Sequence, residues 1–169
     1  MKTTIIAEAG LNHDGNILKA KKLINVAKNA KADFVKFQLY STEEFLNTNL
    51  NLKYKKTADK FRKREFSIHE WKKLIKYSKN IGIKLFFSVF DVHSLNKLKK
   101  FRIKIVKIPS GEITNYKLLA EVSKLKFKVI ISTGMATLSE SKTAVRYLKG
   151  CEVIILHCIS EYPTLRSEL

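Results

Sequence analysis

A short apolar run that stops at polar side chains recurs six times along this chain, and this repetition narrows the fold most. The first instance is Ile5-Ile6-Ala7-Glu8-Ala9-Gly10-Leu11-Asn12-His13-Asp14-Gly15. It reads as a strand over residues 4–9 that enters a glycine-bracketed turn, with a carboxylate, an amide and an imidazole at its end. Further strands are expected over residues 33–39 (DFVKFQL), 84–90 (KLFFSVF), 103–108, 128–132 and 152–157. In 33–39 the alternation places Phe34, Lys36 and Gln38 on one side and Val35, Phe37 and Leu39 on the other.

Helical periodicity fills most of the intervals. Ala20, Leu23, Ile24 and Ala27 make one stripe over residues 17–29. Ser67 with Glu70, and Thr137 with Glu140, have capping-box spacing. They start helices that run to about residues 80 and 149. Further helices are expected over 92–101, and from Thr114 or Asn115 to about 125. Residues 41–66 read as a polar, basic insertion with a short helix, of the kind that forms lids or binding loops.

Strands joined by helical crossovers imply a parallel α/β architecture. A doubly wound sheet and a (β/α)₈ barrel compete. No GxGxxG follows the first strand, and polar residues mark the ends of all six strands, which favours the barrel. The expected fold is therefore an α/β, TIM-type (β/α)₈ barrel truncated to about its first six β/α units, within a single domain of residues 1–169.

Composition bounds the rest. The 169 residues are 45% hydrophobic, as in ordinary globular proteins. No apolar run reaches the roughly 18 residues that span a bilayer. The N-terminus enters a strand without a signal-peptide pattern, so a soluble cytoplasmic protein is expected. Cys151 and Cys158 bracket one strand, about 23 Å long. That separation exceeds disulfide reach, and reduced thiols are expected. The formal charge of +18 admits anionic partners. Most of the excess is lysine on helix faces. The dense cluster Lys53, Lys55, Lys56, Lys60, Arg62, Lys63 and Arg64 lacks aromatic interleaving, so nucleic acid is not the expected partner.

The strand ends collect Glu8, Asn12 and His13; Lys36 and Gln38; Ser88; Lys107, Ser110 and Glu112; Ser132 and Thr133; His157, Ser160 and Tyr162. Lysines inside apolar strands are costly unless they meet an anion. With serines and glycine turns they suit a phosphate or carboxylate receptor. Glu8 has the placement of a general acid or base; structural pairing with Lys36 or Lys107 is the alternative. His13 reads either as a donor to a ligand or as a loop cap, and His157 as a satisfied core histidine. His69 and His93 fall on helix surfaces.

The stretches IIAEAGLNHDGN, ADFVKFQ, VKIPSGEITNY, VIISTGMATLSE and LHCISEYPT, in that order, resemble successive motifs of the N-acetylneuraminate (sialic acid) synthase family, which includes the legionaminic and pseudaminic acid synthases. The resemblance runs from about residue 4 to 164. It implies a (β/α)₈ barrel with a C-terminal antifreeze-like domain. It also implies condensation of phosphoenolpyruvate with an N-acetylated hexose such as N-acetylmannosamine, forming a nonulosonic acid and releasing phosphate. A divalent manganese or magnesium ion is the implied cofactor.

Carried over by motif, Glu8 is the catalytic carboxylate. Lys36, Ser88, Lys107, Ser110 and Ser132 bind phosphoenolpyruvate. Asn12, His13, Gln38, Glu112, Ser160 and Tyr162 bind the sugar or support the site. The family's Ser-Thr-Pro-Phe is here Phe87-Ser88-Val89-Phe90, so Ser88 stands in for the threonine. The family's metal-binding histidines and its antifreeze-like domain have no counterpart before Leu169. A homodimer or a complementing C-terminal polypeptide is therefore an admissible partner. A catalytically inactive fragment, a binding protein for anionic partners, and a Schiff-base aldolase using Lys36 or Lys107 are the alternatives.

Overall fold

Each apolar run does form a strand, and each strand is parallel to its neighbour in sequence within its own part of the chain. A computed structural model describes residues 3–46, 52–161 and 163–168. The chain divides into two compact units, Met1–Ile103 and Lys104–Leu169.

The first unit contains β1 (Ile6–Gly10), α1 (Ile17–Asn29), β2 (Phe34–Leu39), α2 (Thr42–Phe45), α3 (Leu52–Arg62), α4 (Ile68–Asn80), β3 (Lys84–Val89) and α5 (Val92–Lys99). Its sheet has β2 between β1 and β3, with Glu8 opposite Lys36, Lys36 opposite Phe86 and Gln38 opposite Ser88. The register shifts between Glu8 and Gly10, where Gly10 has φ +53°. This left-handed conformation favours glycine.

On β2 the expected alternation is present: Val35, Phe37 and Leu39 are buried, and Phe34, Lys36 and Gln38 are partly exposed. The buried side meets an aromatic core. Trp71 lies edge-on to Phe87 at 4.8 Å between centroids, to Phe66 at 5.0 Å and to Phe37 at 5.6 Å. Edge-to-face pairs of this kind add about 0.5–1.5 kcal/mol each beyond simple burial. From α1, Ala20, Ile24 and Ala27 reach the core; Leu23, on the same stripe, is half-buried.

The insertion holds two helices, α2 and α3, rather than one. Polar contacts anchor it. Tyr40 Oη donates to the Phe61 carbonyl at 2.8 Å, and Arg62 Nε donates to Glu43 Oε1 at 2.6 Å. Tyr40, Phe45, Phe61 and Phe90 form a second aromatic cluster beneath these contacts. Propensity alone concealed α3, whose lysines make it polar on most of its surface.

The second unit contains β4 (Ile105–Ile108), a 3₁₀ turn (Ser110–Glu112), α6 (Tyr116–Ser123), β5 (Lys128–Ser132), α7 (Leu138–Tyr147) and β6 (Glu152–Leu156). β5 lies between β4 and β6, parallel to both. Asn115, rather than Thr114, caps α6 by accepting from the Leu118 amide at 3.1 Å. Both cysteines are free thiols. No helix among the described residues is long and apolar enough to cross a membrane.

Both capping boxes form, at Ser67–Glu70 and at Thr137–Glu140. Ser67→Ala and Thr137→Ala are each expected to cost about 1 kcal/mol. Urea denaturation measures this; unchanged midpoints would show that these helices are held by tertiary packing alone.

Candidate active site

In the first unit the register brings a cation, an anion and a hydroxyl to the strand ends. Lys36 Nζ forms an ion pair with Glu8 and donates to Ser88 Oγ at 2.9 Å. The Lys36 side chain is 13% exposed and that of Glu8 is 51% exposed. The ammonium is thus largely withdrawn from water, while the carboxylate remains open to solvent. Gln38 closes the same corner. A Cβ built on Gly10 would sit 3.4 Å from Glu8 Oε1 and 4.0 Å from Gln38 Nε2. A side chain at position 10 would therefore press on the carboxylate, in addition to straining the backbone.

Two carboxylates that sequence reasoning passed over fix the loops of this end. Asp91 is buried, caps α5 through the Ser94 amide at 2.6 Å, and accepts from the Ser41 amide at 2.9 Å. Glu65 accepts from both the amide and the hydroxyl of Thr42 and pairs with Lys97 at 3.7 Å. The Asp91–Ser94 spacing is an N-cap signal that the sequence does contain. Arg64 also pairs with Asp14 at 3.1 Å. It helps hold the β1–α1 turn, where Gly15 packs so closely on the Lys63 carbonyl that a Cβ there would overlap it.

In the second unit, Lys107 is 8% exposed and donates to the Ile108 carbonyl at 2.7 Å. Ser132 is buried at the end of β5. Gly134, with φ +46°, sits between two hydroxyls: a Cβ built on it would lie 2.5 Å from Ser110 Oγ and 2.7 Å from Ser160 Oγ. Ser110, Ser160 and the Gly134 backbone therefore converge. Glu112 faces its own helix start and accepts from Asn115 Nδ2 at 2.8 Å.

Other residues named from the sequence lie elsewhere. Asn12 is exposed, with its amide donating to the Ala9 carbonyl at 3.1 Å. His13 is fully buried: its Nδ1 accepts from the Gly15 amide at 3.1 Å, and its ring stacks on Phe66 at 4.4 Å. This is the loop-capping arrangement, and it leaves no surface of the ring for a ligand. Its Nε2 is buried without a hydrogen-bond partner among the described residues. His157 is exposed, which corrects the expectation of a core histidine; β6 carries no cover there. His69 and His93 are exposed as expected. Tyr162 lies outside the described residues.

Parallel βα units with lysine, carboxylate and serine side chains at their strand ends define an α/β protein. The sequence matches the NeuB family over residues 23–169, and the chain belongs to that family. It is 40% identical to an N,N'-diacetyllegionaminic acid synthase of Campylobacter jejuni, over 99% of this chain and 54% of that protein. It is 32% identical to an N-acetylneuraminate-9-phosphate synthase of Drosophila melanogaster, over 95% of this chain and 46% of that protein. A crystal structure of an N-acetylneuraminic acid synthetase from Leptospira borgpetersenii, in complex with citrate, superposes with a TM-score of 0.89 at 37% identity. It covers 98% of this chain and 58% of that one. The chain spans about half the length of the curated relatives it matches.

Burial depresses the His13 pKa to about 4, with Asp14 opposing the shift and Arg64 adding to it. The folded state therefore holds the neutral ring, and its contribution to stability is present above the unfolded pKa near 6.5. That contribution is lost as pH falls from there to about 4. His13→Phe, which suits the aromatic box, is expected to flatten the dependence of unfolding free energy on pH over this window by one proton. An unchanged slope would place the titration elsewhere.

Proposed function

We propose that the chain carries the phosphoenolpyruvate-handling part of a nonulosonic acid synthase and that its βα units belong to a TIM-type barrel. The observation that carries this reading is Lys36, a largely buried cation fixed between the Glu8 carboxylate and the Ser88 hydroxyl. A buried ammonium held at a strand end is a poor stability device and a good anion receptor.

The reaction adds C3 of phosphoenolpyruvate to the aldehyde carbon of an open-chain N-acetylated hexose. Water adds at C2, the bond from C2 to the phosphate oxygen breaks, and the products are a 2-keto acid and inorganic phosphate. Glu8, half exposed beside Lys36, takes the proton of the attacking water. Lys36 balances negative charge on phosphoenolpyruvate, and Ser88 fixes the ammonium. In the second unit, Lys107 and the hydroxyls of Ser110 and Ser132 serve the phosphate. Gln38 and Ser160 meet the sugar or support their neighbours, while Glu112 acts through Asn115. The full burial of His13 gives it a supporting place, as the cap of the turn after β1.

The family resemblance also implies a divalent cation. Among the described residues, no three or more His, Cys, Asp or Glu side chains converge as ligands would. These residues do not fit such a site, and no step is routed through it.

Lys36→Met retains the side-chain stem without the charge. It is expected to lower phosphoenolpyruvate affinity at least tenfold while leaving the melting temperature unchanged or higher, because a desolvation cost is removed and Glu8 can hydrate. Calorimetric titration and thermal denaturation check this. A collapse in stability with unaltered affinity would make the lysine structural and sink the reading. Lys107→Ala is expected to remove the titration heat; heat independent of Lys107 counts equally against it.

A further inference from the structure

The strand starts of the first unit, at the opposite end from Gln38 and Ser88, hold a second group of cations. Between the turn that enters β2 and the turn that enters β3 lies a cleft of about 550 Å³. Lys28, Lys31, Asp33, Phe34, Gly82 and Lys84 line it. Lys84 and Ser88 stand about 13 Å apart along β3, and Lys36 directs its ammonium to Ser88. The cleft is thus separate from the corner of Glu8, Lys36 and Ser88. Its three ammonium groups face one carboxylate, which leaves an excess of two positive charges among the described lining residues. That carboxylate, Asp33, accepts from the Ile5 amide at 2.8 Å. None of the three lysines has an ion-pair partner among the described residues.

The fold places each lysine. Lys28, in the last turn of α1, donates to the Gly82 carbonyl at 2.9 Å, which ties it across to the α4–β3 turn. Lys84 Nζ lies over the Phe34 ring, 5.4 Å from its centroid. Lys31 has φ +59°. That left-handed position after a helix ordinarily goes to glycine, as it does at Gly82 with φ +76°. A lysine there bears backbone strain that glycine avoids, and strain kept at an exposed position points to a role beyond folding. The backbone amides around the cleft are already spent: those of Lys31, Ala32, Asp33, Phe34, Gly82 and Ile83 donate to carbonyls of the chain. A ligand therefore meets ammonium groups, which are point charges on flexible stems and select by charge more than by direction.

We propose that this cleft binds a dianionic phosphate group, free or esterified to a small molecule, through Lys28, Lys31 and Lys84. A phosphate monoester carries about −1.5 to −2 charges at pH 7, which matches the excess of two in the cleft. A single carboxylate would leave one cation unbalanced. A phosphate held there links the turn before β2 to the turn before β3, so it stabilises the folded unit by mass action. The proposal does not rest on the synthase reading, because none of these lysines belongs to the site assigned to that reaction.

The test titrates inorganic phosphate, glycerol 3-phosphate and acetate into the full chain carrying Lys36→Met and Lys107→Ala, which removes the lysines of the other site. Calorimetry reads affinity, and amide chemical shifts read location, in the unsubstituted chain as well. The expected result is one phosphate per chain, bound about tenfold or more tighter than acetate, with shift changes over residues 31–34 and 82–84. Lys31→Gly removes the charge and the strain together. It should weaken phosphate binding about fivefold or more while leaving the melting temperature of the free chain unchanged or higher. Lys84→Gln should weaken binding likewise. Acetate binding as well as phosphate, shifts confined elsewhere, or affinity indifferent to both substitutions overturns the proposal. A loss of affinity that comes only with a loss of stability makes these lysines structural and overturns it too. Phosphoenolpyruvate also bears a phosphate, so its titration is repeated in the chain carrying Lys31→Gly and Lys84→Gln. The two sites are then read one at a time, and failure of either reading is distinct from failure of the other.

Discussion

The register of β2 against β1 and β3 is the constraint on which the first unit depends. It places Lys36 opposite Glu8 and within reach of Ser88. A slip of one residue would turn Val35 and Phe37 toward that corner and drive Lys36 into the aromatic core around Trp71. Core packing therefore sets the position of the charged corner. The side chains that suffer most from a slip are Phe37 and Leu39, both buried, and they hold the lysine in place without touching it.

The charge balance of the chain follows the same logic. Acidic side chains number 15 against 33 basic ones, and several of the acids act as internal struts. Asp91, Glu65 and Asp14 each tie one loop to another through amides, hydroxyls or arginine. Removing Asp91 would leave the Ser41 and Ser94 amides unsatisfied, a larger loss than any exposed pair would cause. Many lysines remain on helix surfaces, where they are solvated and carry no structural information.

Sequence pattern revealed the strands and most helices because both faces of a parallel strand and one stripe of a helix must be apolar. The capping boxes were legible because their chemistry is local. Three things were not. Helix α3 is polar on most of its surface, so its periodicity is faint. His13 has the same sequence context whether it binds a ligand or caps a turn; only the tertiary stacking on Phe66 decides. His157 looked like the end of a core strand because β6 has a core strand's sequence. What covers a strand is not written in the strand itself. The corner of Glu8, Lys36 and Ser88 was legible as residue types, but their contact depends on a register between strands far apart in the chain.

The second unit differs from the first in the chemistry of its strand ends. Around Gly134 the groups are hydroxyls and backbone rather than an ion pair, and they are packed so tightly that a methyl group would displace both Ser110 and Ser160. Neutral donors fixed by backbone geometry need little reorganisation when charge arrives, and they do not repel one another when it leaves. An ammonium alone would hold a released phosphate as firmly as a bound substrate. The left-handed backbone of Gly134 and the closeness of Ser110 and Ser160 both account for a glycine at this position.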